Sequence, residues 1–282
     1  MKHRLCIRAV LLAASLACVV GAQAQQARAD SPAQRTRVTP AAPQLEAKAM
    51  DLLRAMSGAL TGASSMMFTA VATYETPTAI GPPLVFSTIS EVLVQRPDKL
   101  RVITSGDGKA SEYYYDGKTF TAFAPSENLV AIAPAPPTLD AALEAAFKDA
   151  AIYFPFADVL GADPFRNLTD GLTKAFYVGD SRAVDGTTTD VIAVVSDELF
   201  MQIWIGADDK LPRRLRATYR GDPLLLRHQV DLSHWRLDPV VAADAFASVN
   251  AANARRIPLA APHAMPASPK GKGKGGRPAK TS

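Results

Sequence analysis

Cysteine is nearly absent from this chain, and its placement is as informative as its scarcity. Both cysteines, Cys6 and Cys18, lie within the first 24 of 282 residues. The remaining residues can therefore form no disulfide, no thiolate nucleophile and no cysteine-ligated metal site. Histidine is almost as scarce. His3 lies in the same opening segment and His263 near the C-terminus, leaving His228 and His234. Six residues apart on one strand, they share a face but stand about 20 Å apart at ~3.3 Å per residue, too far for a common metal ion. The chain also lacks a G-x-S-x-G nucleophile elbow, a phosphate-cradling glycine loop ending in Gly-Lys-Ser/Thr, and a dinucleotide fingerprint. Acid pairs at Asp197-Glu198 and Asp208-Asp209 fall in turn-like stretches where acidic residues are ordinary. Glycosidase carboxylates look equally plain in sequence, so a hydrolase is kept as a lesser alternative. The sequence assigns no catalytic residue, no metal site and no cofactor, and a non-enzymatic role is expected.

What is present begins with an export signal. Lys2, Arg4 and Arg8 precede an apolar run over 9–20, and Ala22-Gln23-Ala24 supplies the small-x-small pattern read by signal peptidase. Residues 1–24 are thus expected to be a signal peptide cleaved after Ala24, which directs the chain to the periplasm. The apolar run is shorter than the ~20 residues of a membrane span. Leu16-Ala17-Cys18 partly matches a lipobox, but Ser15 stands where such motifs carry leucine, and lipidation at Cys18 is not assigned.

The formal charge of +4 hides a division. Three basic residues lie in 1–24 and seven follow Ala254, with no acid in either stretch. Removing these ten of 31 leaves 21 basic against 27 acidic residues, so 25–254 carries −6. An acidic body argues against a nucleic-acid-binding core. The basic stretch 259–282 is apolar-poor and is expected to be a disordered tail, suited at most to weak contact with an anionic membrane surface. Its Gly-Arg-Pro resembles a minor-groove hook, but no nucleic-acid partner is expected for an exported chain. Residues 25–43, with Pro32, Pro40 and Pro43, read as a disordered linker.

Between these ends, Leu45, Ala49, Leu52, Met56 and Leu60 recur at three- and four-residue steps, the stripe of an amphipathic helix. Strand-like runs follow at 66–74, 85–95, 99–104, 112–115, 119–123 and 129–133, separated by turn signals such as Gly81-Pro82 and Arg96-Pro97-Asp98. Within YYYDGKTFTAF (113–123), Asp116-Gly117 suits a hairpin turn and the flanking residues suit strands. Asp116 and Lys118 are expected in a solvated turn, with Tyr114 and Phe120 on one face. A helix capped by Thr138 is expected over 139–150, then short pieces at 153–160 and 164–171, then strands at 175–178, 188–196, 200–205, 211–219 and 224–235. In the strand over 211–219, Leu215, Ala217 and Tyr219 alternate with Arg214, Arg216 and Thr218. Trp204 and Trp235 suit a core or cavity wall more than a sugar platform.

Four segments carry a family resemblance: RPDKLRV (96–102), YYYDGKTFTAFAPSENLVAIAPAPPTLDAAL (113–143), QIWI with LPRRLRATY (202–219), and DLSHWRLDP (231–239). Together they resemble domain-of-unknown-function family 2092, predicted periplasmic proteins similar in architecture to LolA, LolB and RseB. The resemblance implies an α+β fold over 44–258. Its frame would be a strongly curved antiparallel sheet, a half-open β-barrel of about ten or eleven strands, with helices covering the concave face. It implies a binding module for a lipid, acyl chain or lipidated protein, or, in the RseB-like alternative, a sensor that docks an envelope protein partner. Candidate cavity residues are Phe68, Ile89, Val102, Tyr114, Phe120 and Trp204 on strands, with Leu52, Met56, Leu143 and Phe147 as the helical cover. N-terminal sequencing of the exported protein should begin at Gln25; a start at Met1 or an acylated start at Cys18 would contradict the assigned cleavage.

Overall fold

The structure, a computed structural model, describes residues 43–260. The signal peptide, almost all of the linker and the basic tail lie outside the described residues. The described chain opens with β1 (Gln44–Leu45) and helix α1 (Ala47–Gly62). A meander of β2 (Ser65–Thr76), β3 (Leu84–Gln95), β4 (Lys99–Gly106), β5 (Ser111–Tyr115), β6 (Thr119–Ala124) and β7 (Leu129–Pro134) follows. Three helices are inserted next: α2 (Leu139–Ala150), α3 (Ala157–Leu160) and α4 (Pro164–Thr169). The second meander comprises β8 (Leu172–Val184), β9 (Thr187–Ser196), β10 (Leu199–Gly206), β11 (Pro212–Tyr219) and β12 (Arg227–Leu237), and β13 (Arg255–Ile257) closes the order.

All thirteen strands join one sheet, ordered β1-β8-β9-β10-β11-β12-β2-β3-β4-β5-β6-β7-β13. The two meanders meet where β12 pairs antiparallel with β2. The terminal strands β1 and β13 do not pair with each other, so the barrel stays open. Eleven strands, β2 to β12, correspond to the eleven strand-like segments expected between turn signals. The other two, β1 and β13, run parallel to β8 and β7 and hold two and three residues, too short to display a period. Leu45 is therefore corrected from the helical stripe to strand β1, where it pairs with Ala175 and is exposed.

The helix stripe otherwise packs as its spacing dictates, with Ala49, Leu52, Leu53, Met56 and Leu60 buried. Helix α1 lies against β8, β9, α3 and α4. Ser57, buried on the same face, accepts a hydrogen bond from the Phe165 amide (3.1 Å) and so ties α1 to α4. Thr138 caps α2 by accepting from the Ala141 amide. Ala151, in the left-handed region at φ 53°, ends α2 and turns the chain back toward the sheet.

The inner face of the sheet carries the core. Met66 and Phe68 of β2, Val92 and Val94 of β3, and Ile203 and Ile205 of β10 are buried with α1 and with Phe156, Val159 and Leu160. On the convex side, Phe123 and Val130 form a small second cluster with Ala251 from the chain after β12. That chain also places the Ser248 hydroxyl on Glu112 (3.3 Å), which accepts from the Tyr114 phenol as well (2.8 Å).

Two expectations about strand faces are corrected. In the β5–β6 hairpin, Tyr115 lies opposite Phe120 on the inner face, and Tyr114 lies opposite Thr121 on the outer one. Tyr114 and Phe120 thus occupy different faces. The turn is as expected: Asp116 accepts from the Lys118 and Thr119 amides, and Gly117 adopts φ +90°. In β12, His228 and His234 do not share a face. A bulge between Ser233 and Arg236, with His234 at φ 55°, shifts the alternation by one residue. Trp235 takes the inner position instead, stacked on Phe68 at 4.3 Å with its indole N–H donating to the Pro212 carbonyl (3.0 Å).

The burial contrast gives a direct test. Phe68→Ala should cost ~3–5 kcal/mol of unfolding free energy in urea titration, whereas Ile89→Ala on the exposed convex face should fall within about 0.5 kcal/mol of wild type. Equal costs would contradict the assigned faces.

Candidate functional site

The helices leave part of the inner face uncovered, and a cavity of about 400 Å³ remains there. That size lies within the ~300–1,000 Å³ common for small-molecule sites. Its walls come from seven adjacent strands, β10 through β12 and β2 through β5. Seven strands at ~4.8 Å spacing span roughly 29 Å laid flat. One small cavity can touch both ends of that arc only because the sheet curls around it.

The fourth side is the segment 153–158, which follows the left-handed turn at Ala151. Phe154 packs edge-on against Tyr113 (5.4 Å between ring centres) and stacks on Phe156 (5.8 Å), which in turn meets Phe68 (5.7 Å). Two aromatic anchors thus fix the cover to the core, while Tyr153 and Asp158 face the cavity. Tyr153 is 57% exposed although protein surrounds it. It lines the cavity and is open to solvent as well. Burial among protein atoms is the main cause that raises its phenol far above the ordinary tyrosine range, helped by the neighbouring Tyr219 hydroxyl. Burial likewise raises the Asp158 carboxyl. Water reaching Asp158 through the mouth weakens but does not reverse that effect.

The lining has two characters. On one side stand Leu199, Met201, Leu215, Ala217 and Val230 with Ala72; on the other, Thr88, Ser90, Thr104 and Ser111. Tyr219 packs edge-on against His228 (5.4 Å) beside the apolar wall. Among the described residues, no group of three or more His, Cys, Asp or Glu side chains is placed to hold a metal ion. The acid pairs stay in turns: Asp209 accepts from the Arg213 guanidinium (2.6 Å) and the Leu211 amide (3.1 Å), outside the cavity.

None of the ten residues expected to line a cavity touches this one. Phe68, Val102, Phe120, Leu52 and Met56 are buried in the core, and Leu143 is partly buried against it. Ile89, Tyr114 and Trp204 lie on the outer face, in register with Val71, Thr121 and Val191. Arg214 sits 5.7 Å from the Trp204 ring there. Phe147 is exposed and packs edge-on with Tyr153 at 6.2 Å. The choice of face was off by one residue in several strands. In STISE (87–91), weighting apolar residues selects Ile89, but the cavity takes Thr88 and Ser90. In the strand carrying Leu215, Ala217 and Tyr219, clean alternation with charged partners marked the wall that the structure uses.

A family model described as "Predicted periplasmic protein (DUF2092)" matches residues 49–260. The chain belongs to that family, which places it in the periplasm. No curated protein matches. Among solved structures, it is similar to MucB, at 18% identity and a TM-score of 0.42 over 72% of this chain. It spans 63% of the length of MucB. It is also similar to LprF from Mycobacterium bovis, at 18% identity and a TM-score of 0.44 over 73% of this chain and 100% of that one. A LolA superfamily protein from Nitrosomonas europaea follows at 12% identity and a TM-score of 0.31, over 71% of this chain and 97% of that one.

The Asp158 environment has a consequence for stability. A carboxyl whose folded pKa is raised binds its proton more tightly folded than unfolded, so its contribution is most favourable at low pH and is lost as pH rises through the folded value. Asp158→Asn should therefore raise the melting temperature at pH 7, and the gain should shrink below the unfolded carboxyl range. A variant less stable than wild type at pH 7 would contradict a desolvated carboxylate.

Proposed function

We propose that the protein is a periplasmic binding module that holds a lipid or another amphiphile in the half-barrel and works by binding rather than turnover. The observation that carries this reading is the 400 Å³ cavity on the inner face, closed by an aromatic-anchored segment. Its apolar wall offers favourable burial, since each methylene removed from water contributes about 0.8 kcal/mol. Its mouth, beside Tyr153 and Tyr219, leaves a polar end of the ligand in water. Docking of an envelope protein is the second reading. The outer edge of β8 favours it: among the described residues, the short segment Gln44, Leu45 and Glu46 bonds there, and Val178 beyond it is exposed.

Native mass spectrometry of protein purified from the periplasm, followed by organic extraction, tests the first reading. A stoichiometric amphiphile is expected, and Ala217→Trp, which fills the cavity, should reduce its retention at least ~10-fold. Retention unchanged by the filled cavity would overturn the assignment. Phe120→Asp is not a useful substitute, because Phe120 is a core residue and its replacement reports on folding.

A further inference from the structure

The two walls of the cavity differ in chemistry, with small hydroxyl side chains concentrated on β3–β5 and aliphatic ones on β10–β12. On β3, β4 and β5, inner-face residues form rungs that run across the strands. Val94, Leu100 and Tyr115 make one rung, and Val92, Val102 and Tyr113 the next. The rung after that is Ser90, Thr104 and Ser111, with Thr88 one step further along β3. The change from aliphatic and aromatic to small hydroxyl side chains falls within the cavity wall, which Tyr113 of the preceding rung also lines. Ser90 is only 6% exposed, so this is not a surface rim drifting toward polarity. The Ser90 and Thr104 hydroxyls bond each other at 2.9 Å. That pair uses one of their two protons and leaves the other, with spare lone pairs, for a third partner.

Across the cavity, Met201, Leu215, Ala217 and Val230 offer no hydrogen bond, and polar atoms on that side come from Tyr219, His228 and Gln229. A plain acyl chain would suit this wall, but it would also strip water from the hydroxyl rung and give nothing back. A molecule with oxygen groups along one side and hydrocarbon along the other satisfies both walls together. From this opposition we infer that the cavity selects a facially amphipathic ligand, a rigid skeleton with hydroxyls on one face, over a simple fatty acyl chain. The inference rests on the reading of the cavity as a binding site and names the class of molecule that it takes.

Three probes separate the cases: cholate, which carries three hydroxyls on one face; cholanate, the same skeleton without them; and palmitate. Binding of each to the exported protein is measured by calorimetric titration. Cholate should bind roughly tenfold tighter than cholanate, although cholanate is the more hydrophobic of the two. The variant Thr88→Val, Ser90→Ala, Thr104→Val should lose or reverse that order, and Thr88→Val alone should narrow it if the triple variant does not fold. Cholanate or palmitate binding more tightly than cholate would overturn the inference while leaving the binding site in place. An unchanged preference in a folded hydroxyl-free variant would also overturn it. Failure of cholate to bind would overturn it too, whereas the binding reading itself stands or falls with the retained amphiphile and the Ala217→Trp variant.

Discussion

The width of the inner face, set against the helices available to cover it, governs this structure. Eleven antiparallel strands present far more inner surface than α1, the buried side of α2 and the short α3 and α4 can cover. Helix α1 packs against β8 and β9, and Phe156, Val159 and Leu160 extend the packing toward β2. The remaining rows of β2–β5 and β10–β12 are left without helical cover, and the cavity is that remainder. Apolar surface left in this way would be a liability on a flat sheet, but the curl encloses it and the 153–158 segment roofs it. Ala151 makes the roof possible, because its left-handed backbone stops α2 and sends the chain back across the opening.

Much of this architecture was legible from sequence patterning. All eleven interior strands and α1 and α2 are legible as strand-like or helical segments, and the hairpin at Asp116-Gly117 has the turn chemistry that its geometry requires. The cavity lining was not legible, for a definite physical reason. A strand's period tells which residues share a face, but it does not say which face looks inward. In β3 the residues Val92, Leu93 and Val94 are all buried, so both faces of the strand carry apolar residues out of water. Apolar character on both faces erases the contrast that would set the parity, so the pattern points to Ile89 where the cavity takes Ser90. In β12 the parity itself changes, since the His234 bulge moves Trp235 inward. No count from His228 could have anticipated that shift.

Polar groups in the core region follow the same division between structure and site. Arg214 pairs with Asp231 on the outer face, and Arg213 pairs with Asp209 at a turn, so both stabilise the scaffold locally. The Ser90–Thr104 pair is different, because it faces a space large enough for another molecule. Hydroxyls there keep the wall neutral and hydrogen-bond competent, which fits recognition of an uncharged polar face better than of an ion.

Covalent mapping decides which face of the sheet the ligand occupies. A photoactivatable amphiphile, crosslinked to the folded protein and located by peptide mass spectrometry, reports which side of each strand meets the ligand. The account predicts label on Met201, Leu215, Tyr113 and Phe154, the walls and roof of the cavity. Label concentrated on Ile89, Trp204 or Val178 instead would place binding on the outer surface and contradict it.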